Sequence, residues 1–419
     1  MRCLFIMDDH PLSRDVRGGT PVVMLSHFEL LEHWGAELHL LLLRQAGRSL
    51  GFDEHVRAER KDWNAIRSRC ASDQLLELRS RALPGGPVAG TKRFVSAVRD
   101  PYSQFAIAED ESNADAVARV VESIEPDLVW TENLTPATVA RRATNGVPMV
   151  YGHHDWIWRI LQLNRVPWMR GPRGPVNGRL LRRAEELLVR EVSGCASPSA
   201  SEAAELACLN NHVAYLPATY PEPTEALPAS VPSPPRIVHV GGMTTLASRV
   251  GLERFLEVVW PRLRTASDPL PELLVLGTMD GAGEPLQARL AAVGATCTGF
   301  VRDLDSLLRP YDVHVIPWEH PTGARTRLPL ALRHGQVVVS TRAAVEGSTE
   351  LVDGVNCVLV DSLEEMAPAI GLLLRDDARR REIGRSARDT FVAHFTREGV
   401  QPRFDAFMNG LARASSSGG

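Results

Sequence analysis

The chain has 419 residues, 44% of them hydrophobic, with a formal net charge of -4 and an isoelectric point near 6.4. That length buries a sizeable core and suits two domains, and the slightly acidic balance removes the broad positive field that nucleic-acid binding relies on. The six cysteines, Cys3, Cys70, Cys195, Cys208, Cys297 and Cys357, never stand at the two-residue spacing of a structural zinc site and read as reduced thiols. The N-terminal apolar stretch is too short for a signal peptide, and no segment offers the ~18 consecutive apolar residues of a spanning helix. The expectation is a cytoplasmic protein without a transmembrane segment or a nucleic-acid partner; the oligomeric state is left open.

A strand is predicted at Cys3 to Met7. HPLSRDVRGGT then leads into the helix PVVMLSHFELLEHWGAE, where Gly18 and Gly19 let backbone N–H groups approach a ligand and the helix N-terminus favours an anion. The same pair also serves a plain strand-to-helix turn. Further strands are expected at Leu38 to Leu43, Leu128 to Thr131, Pro148 to Tyr151, Cys195 to Ser197 and Val213 to Leu216.

Strand ends carry the candidate chemistry of this half. Glu132 and Asn133 follow the third of these strands and are candidates to line a ligand cleft, although Asn133 equally suits a cap or turn. VPMVYGHHDWIW places His153, His154 and Asp155 just after a strand, where a histidine can donate a hydrogen bond to a ligand and the aspartate can orient it. Trp156, Trp158 and Trp168 follow. Their faces suit a flat ring or a quaternary ammonium, and their helical spacing suits core packing at least as well. The basic run Arg165, Arg170, Arg173, Arg179, Arg182 and Arg183 reads either as an approach for an anionic acceptor or as a solvated face.

Residues 216 to 236 hold seven prolines, which forbid regular helix and mark a stiff connector. The expected division is an N-terminal domain over 1–216, a linker over 217–236, a C-terminal domain over 237–394, and a tail over 395–419 whose helix returns to the N-terminal domain. Beyond the linker, strands are predicted at Ile237 to Val240, Leu273 to Leu276, Thr296 to Phe300, Val313 to Ile316, Val337 to Ser340 and Cys357 to Val360. The first ends in Gly241 and Gly242, ahead of a helix with Arg249 at or near its start. Two glycines alone are not the G-x-G-x-x-G dinucleotide fingerprint, because Gly251 comes too late. After the fourth strand, Arg325 and Arg327 stand at i and i+2 before a short helix, a spacing that brackets phosphate oxygens or decorates a solvated loop. Strands alternating with helices throughout predict α/β architecture with two doubly wound, Rossmann-like domains facing an interdomain cleft, because ligands of such sheets bind outside the carboxyl ends of the strands.

The order of landmarks in the second half is specific: GGM with FLEVVWPRL, LLVLG, GFVRDL, GARTRL, VVVST with AVEG, and ELVDGVNCVLV. Over roughly 237–395 the chain resembles family 4 glycosyltransferases of the GT-B fold. The resemblance implies a nucleoside-diphosphate sugar as donor, transfer with anomeric retention, and no metal or other cofactor. By position it puts Arg325 and Arg327 on the phosphates with Arg249 as a looser match, Val301 and Arg302 at the base, and Glu346, Gly347 and Ser348 near sugar and phosphates. The E-x7-E acids that reach the ribose in such enzymes are Thr322 and Leu330 here, leaving Glu350 or Glu319 as substitutes.

The expected activity is therefore glycosyl transfer to a small-molecule acceptor, with fixed donors and arginines stabilising the leaving diphosphate. A specialised metabolite from antibiotic biosynthesis, such as an ergothioneine-like thiol with its betaine caged by tryptophans, is one acceptor class. The rivals are a sugar-nucleotide 2-epimerase and a non-catalytic nucleotide-binding relative.

Overall fold

The computed structural model describes residues 1–10, 12, 14, 19–45, 64–79, 99–104, 111–164, 174–266 and 271–417. The chain divides into two compact units. The first takes Met1–Ser13, Met24–Leu216 and Pro402–Gly419, the second Arg14–Val23 and Pro217–Gln401.

The first unit follows the order β1 (Arg2–Asp8), α1 (Thr20–His33, from Met24 on), β2 (Glu37–Gln45), β3 (Ser72–Leu78), α2 (Glu111–Ile124), β4 (Leu128–Glu132), α3 (Leu134–Ala140), β5 (Met149–Gly152), α4 (Ile157–Leu163), α5 (Gly174–Glu191), β6 (Gly194–Ser197), α6 (Ala200–Ala207) and β7 (Val213–Tyr215). Its seven parallel strands stand in the order β3-β2-β1-β4-β5-β6-β7. Cys3, Leu4, Phe5, Ile6 and Met7 are all fully buried; a continuous apolar run is what a strand needs when both faces of its sheet are covered. Helix α2 turns Val117, Val120, Val121 and Ile124 inward, the spacing of one helical face. Ser199 starts α6 by accepting the Glu202 N–H.

The second unit holds β8 (Arg236–Val240), α7 (Leu246–Arg254), a π-helical turn at Phe255–Val259, α8 (Trp260–Ala266), β9 (Glu272–Leu276), α9 (Gly283–Ala292), β10 (Thr296–Cys297), β11 (Val313–Ile316), α10 (Arg327–Arg333), β12 (Val337–Thr341), α11 (Arg342–Val345), β13 (Val358–Val360), α12 (Leu363–Arg375) and α13 (Asp377–His394). Its six strands are parallel in the order β10-β9-β8-β11-β12-β13. Leu363, Met366, Ala367, Ile370 and Leu373 turn one face of α12 into this core. The final helix, α14 (Arg397–Ser417), ends in the first unit. There the Phe404 and Phe407 rings lie 6.0 and 6.3 Å from Trp130. Gly194 makes this packing possible, because a Cβ at that position would come within 2.9 Å of Leu411 and 3.1 Å of Phe407.

Both sheets reverse direction of growth beside their first strand, between β1 and β4 in one and between β8 and β11 in the other. Crevices outside the carboxyl ends of strands at such points are where ligands of open parallel sheets bind. Asp8 and Glu132 stand at the first switch point, and Gly241 follows β8 at the second.

Candidate functional site

In the second unit the backbone itself shapes the switch point. Gly241 has φ +152° and Gly277, after β9, has φ +137°, both conformations that disfavour a side chain. A Cβ on Gly277 would stand 2.5 Å from the Gly241 carbonyl oxygen, and one on Gly241 would collide with Ser248 Oγ and come 3.0 Å from Arg327 Nη1. The Gly241 N–H is committed to Leu276 O at 2.8 Å, while that of Gly242 donates to no group among the described residues. A Cβ on Gly19 would lie 2.6 Å from Thr326 Oγ1; Gly18 lies outside the described residues.

Arg327 opens α10 beneath this turn. It is only 9% exposed, and its Nη1 donates to Val240 O at 2.8 Å and more distantly to Ser248 Oγ at 3.3 Å. Burial, with a smaller push from the Arg325 charge, pulls its guanidinium down from 12.5 to about 9, and no carboxylate is among the causes that act on it. Its Nε and Nη2 have no partner among the described residues. Two fully buried histidines stand behind it. His239 is held well below its ordinary value by burial and then by the Arg327 charge, and His314, which meets Gln336 Oε1 at 2.9 Å, is lowered to about 4 chiefly by burial. Both are therefore neutral near pH 7. The result is a buried cation whose charge has no counterion among the described residues, set against glycine backbone.

The other residues read from the sequence spread more widely. Arg325 is fastened to its own loop: its Nη2 donates to Thr322 O and Oγ1, its Nε reaches Ala344 O at 3.3 Å, and its guanidinium lies 6.0 Å from the Trp318 ring centre. Trp318 Nε1 donates to Thr322 Oγ1 at 3.1 Å, so Thr322 serves the loop. Leu330 is buried at 6% exposure. Glu319 pairs with Arg254 at 3.3 Å and Arg249 with Glu253 at 3.6 Å. Val301 is half-buried and Arg302 exposed; Glu346 is exposed, Gly347 buried and Ser348 half-buried just after α11. Ser248, Thr278 and Thr326 join the glycine turn without a sequence signal, since hydroxyls at such spacings are ordinary in loops.

In the first unit Glu132 ends β4 completely buried. Its Oε1 accepts from Trp130 Nε1 and meets His27 Nδ1, both at 2.7 Å, and its Oε2 meets His154 Nε2 at 2.6 Å. Burial alone would raise this carboxyl; attraction to His27 and hydrogen bonds from His154 and His27 outweigh it and bring it to about 2. Gly152 leaves room for the carboxylate, because a Cβ there would stand 2.5 Å from Oε2.

The two neighbouring histidines part company. His154 keeps 9% exposure, whereas His153 is fully buried, edge-on to Trp156 with ring centres 4.8 Å apart, and 3.2 Å from Glu202 Oε2 without being in line for a hydrogen bond. Trp156 is 3% exposed within the core, and Trp158 carries the guanidiniums of Arg159 and Arg182, each 5.4 Å from its ring centre. Asp155 is half-buried. Asn133 adopts φ +70° at the start of α3, makes no side-chain cap, and reaches Asp8 Oδ2 at 3.2 Å. Arg179 and Arg183 lie on α5, while Trp168, Arg165, Arg170 and Arg173 fall outside the described residues. His27, on α1 and remote in sequence, is the member of this cluster that no motif signalled. Among the described residues no three His, Cys, Asp or Glu side chains are set to hold a metal ion.

Residues 234–376 match the glycosyl transferases group 1 family. That match covers about a third of the chain. The glycine turn and Arg327 lie inside it, and the chain is accordingly a glycosyltransferase. Its architecture is GT-B, as in solved structures aligned along nearly the whole chain. Sucrose-phosphate synthase from Thermosynechococcus elongatus superposes with a TM-score of 0.65 at 15% identity, covering 99% of both chains. Anabaena Alr3699/HepE in complex with UDP-glucose gives 0.61 at 15%, covering 100% of both. A point mutant of Staphylococcus aureus TarM in complex with UDP gives 0.64 at 10%, covering 98% of this chain and 100% of that one. No curated protein matches the glycosyltransferase in sequence. Among the described residues no helix is long and apolar enough to cross a membrane.

Proposed function

We propose that the chain transfers a glycosyl group, with retention, from a uridine-diphosphate sugar to a small-molecule acceptor. The observation that carries the donor half is Arg327: a buried guanidinium with no carboxylate partner among the described residues, beside an uncommitted Gly242 N–H, offers the positive charge and hydrogen-bond donors that the anionic oxygens of a diphosphate accept. The UDP and UDP-glucose held by Anabaena HepE, and the UDP held by Staphylococcus TarM, support a uridine nucleotide over others.

The chemistry follows from electrostatics. As the sugar gains oxocarbenium character, negative charge grows on the departing diphosphate, and donors already fixed in place stabilise it without reorganising. Arg327, the Gly242 amide and, on its braced loop, Arg325 supply that field without a metal. In the first unit His154, with 9% exposure, is the candidate for a contact with substrate. Trp156 and Trp158 give no support to a caged betaine, since the Trp156 ring is in the core and the Trp158 ring already carries two arginines. The acceptor therefore stands as a small molecule bearing a hydroxyl or thiol.

Incubation with UDP-, GDP-, ADP- and dTDP-sugars, followed by thermal shift and product mass, tests this reading. UDP-sugars should stabilise the protein and yield transfer product. Stabilisation by none of the four, or an epimerised sugar as the product, would overturn it.

A further inference from the structure

The carboxylate of Glu132 leaves its neighbours no choice of proton arrangement. An ionised carboxylate only accepts hydrogen bonds. Both imidazoles against it must therefore donate, His27 through Nδ1–H and His154 through Nε2–H. The remaining nitrogens differ. His27 Nε2 is buried with no partner among the described residues. His154 Nδ1 also lacks a protein partner, but it is not sealed. When His154 carries one ring proton that proton sits on Nε2, and Nδ1 is left with a lone pair that is not sealed from solvent, just after β5.

Resting on the glycosyltransferase reading and deepening it, we infer that Glu132 is a positioning residue. It locks His154 in the Nε2–H tautomer so that Nδ1 accepts a hydrogen bond from a substrate hydroxyl or thiol. Three features make the lock specific. Trp130 Nε1, which can only donate, shares Oε1 with His27 and fixes the rotation of the carboxylate. Full burial keeps water from competing for either oxygen. Gly152 supplies the space in which the carboxylate sits.

The same geometry makes Glu132→Gln an informative variant. Trp130 and His27 both donate to the Oε1 position, so the amide oxygen must occupy it. The amide NH2 then falls at the Oε2 position, against His154 Nε2, which has to become an acceptor. The ring is driven to the Nδ1–H tautomer, and its surface nitrogen turns from acceptor to donor with little change of shape.

The test is nitrogen-15 NMR of histidine-labelled protein, with His154 assigned by comparison with His154→Asn. Wild type should show His154 as the Nε2–H tautomer, and Glu132→Gln should show the Nδ1–H tautomer. An Nδ1–H ring in wild type, or a ring exchanging freely between tautomers, overturns the lock whether or not the variant folds. Binding and turnover of UDP-glucose then locate the hydroxyl. If it belongs to the donor sugar, Glu132→Gln weakens UDP-glucose roughly tenfold or more and leaves UDP unchanged. If it belongs to the acceptor, both bind as in wild type and kcat falls by a similar factor with KM for UDP-glucose unchanged. A flipped tautomer with unchanged binding and turnover overturns the role given to Nδ1. Should UDP-glucose fail to bind wild type at all, the substrate role falls with the glycosyltransferase reading, while the tautomer measurement still decides the lock.

Discussion

Replacing Arg327 by methionine separates a ligand-binding arginine from a structural one. A buried guanidinium brought from 12.5 to about 9 costs the free protein about 5 kcal/mol. Against that stand one good hydrogen bond, to Val240 O at 2.8 Å, and a weak one, to Ser248 Oγ at 3.3 Å. Hydrogen bonds to a charged group return about 1.5 to 3 kcal/mol at good geometry. The balance leaves Arg327 destabilising the ligand-free fold by about 2 kcal/mol, and methionine fills similar volume without the charge. Thermal unfolding should therefore show Arg327→Met melting about 4 to 8 °C higher than wild type. Calorimetric titration should show UDP binding about a hundredfold more weakly, the loss of one to two charge-assisted bonds. A variant that melts well below wild type while binding UDP normally would show that the arginine holds the fold and would refute the argument.

The glycine turn should tolerate no side chain: Gly277→Ala, with φ +137° and a Cβ 2.5 Å from backbone oxygen, is expected to lose about 1 to 3 kcal/mol of stability and to weaken UDP binding, measured by denaturant unfolding and titration. Glu132 sets an acid limit. Its folded value is depressed from 4.5 to about 2, so its contribution is fully present above pH 4.5 and is lost as pH falls toward 2. Wild type should lose roughly 3 kcal/mol across that window that Glu132→Gln does not lose, read from urea midpoints against pH. Phe404→Ala should detach the end of α14 from Trp130 at a cost of about 3 to 5 kcal/mol, seen as a lowered unfolding midpoint with UDP affinity retained.

Most of the fold was legible because both sheets are parallel and doubly covered, which turns strands such as Cys3–Met7 and Val337–Val339 into unbroken apolar runs. The missed strand, β3, lies at the sheet edge. SDQLLEL mixes polar and apolar residues without strict alternation, and Leu75 remains 44% exposed, so neither template applies. Thr296–Phe300 shrinks to a two-residue pairing for the same reason, at the edge of the second sheet.

Gly241, Gly242 and Arg327 carry a local sequence signal, because each stands where a strand gives way to a helix. That signal is missing where a partner arrives from a distant element. His27 looked like one more residue of a helix, and only the fold brings it to Glu132. Nor does spacing distinguish Arg327, buried without a counterion, from Arg325, two residues away and fastened to Thr322.

The most direct test is a crystal structure of the chain with UDP. The β-phosphate oxygens should lie within hydrogen-bond distance of the Arg327 guanidinium and the Gly242 N–H, with the Gly241 and Gly277 backbone unchanged. UDP bound away from Arg327, or excluded from the protein at millimolar concentration, would contradict the account.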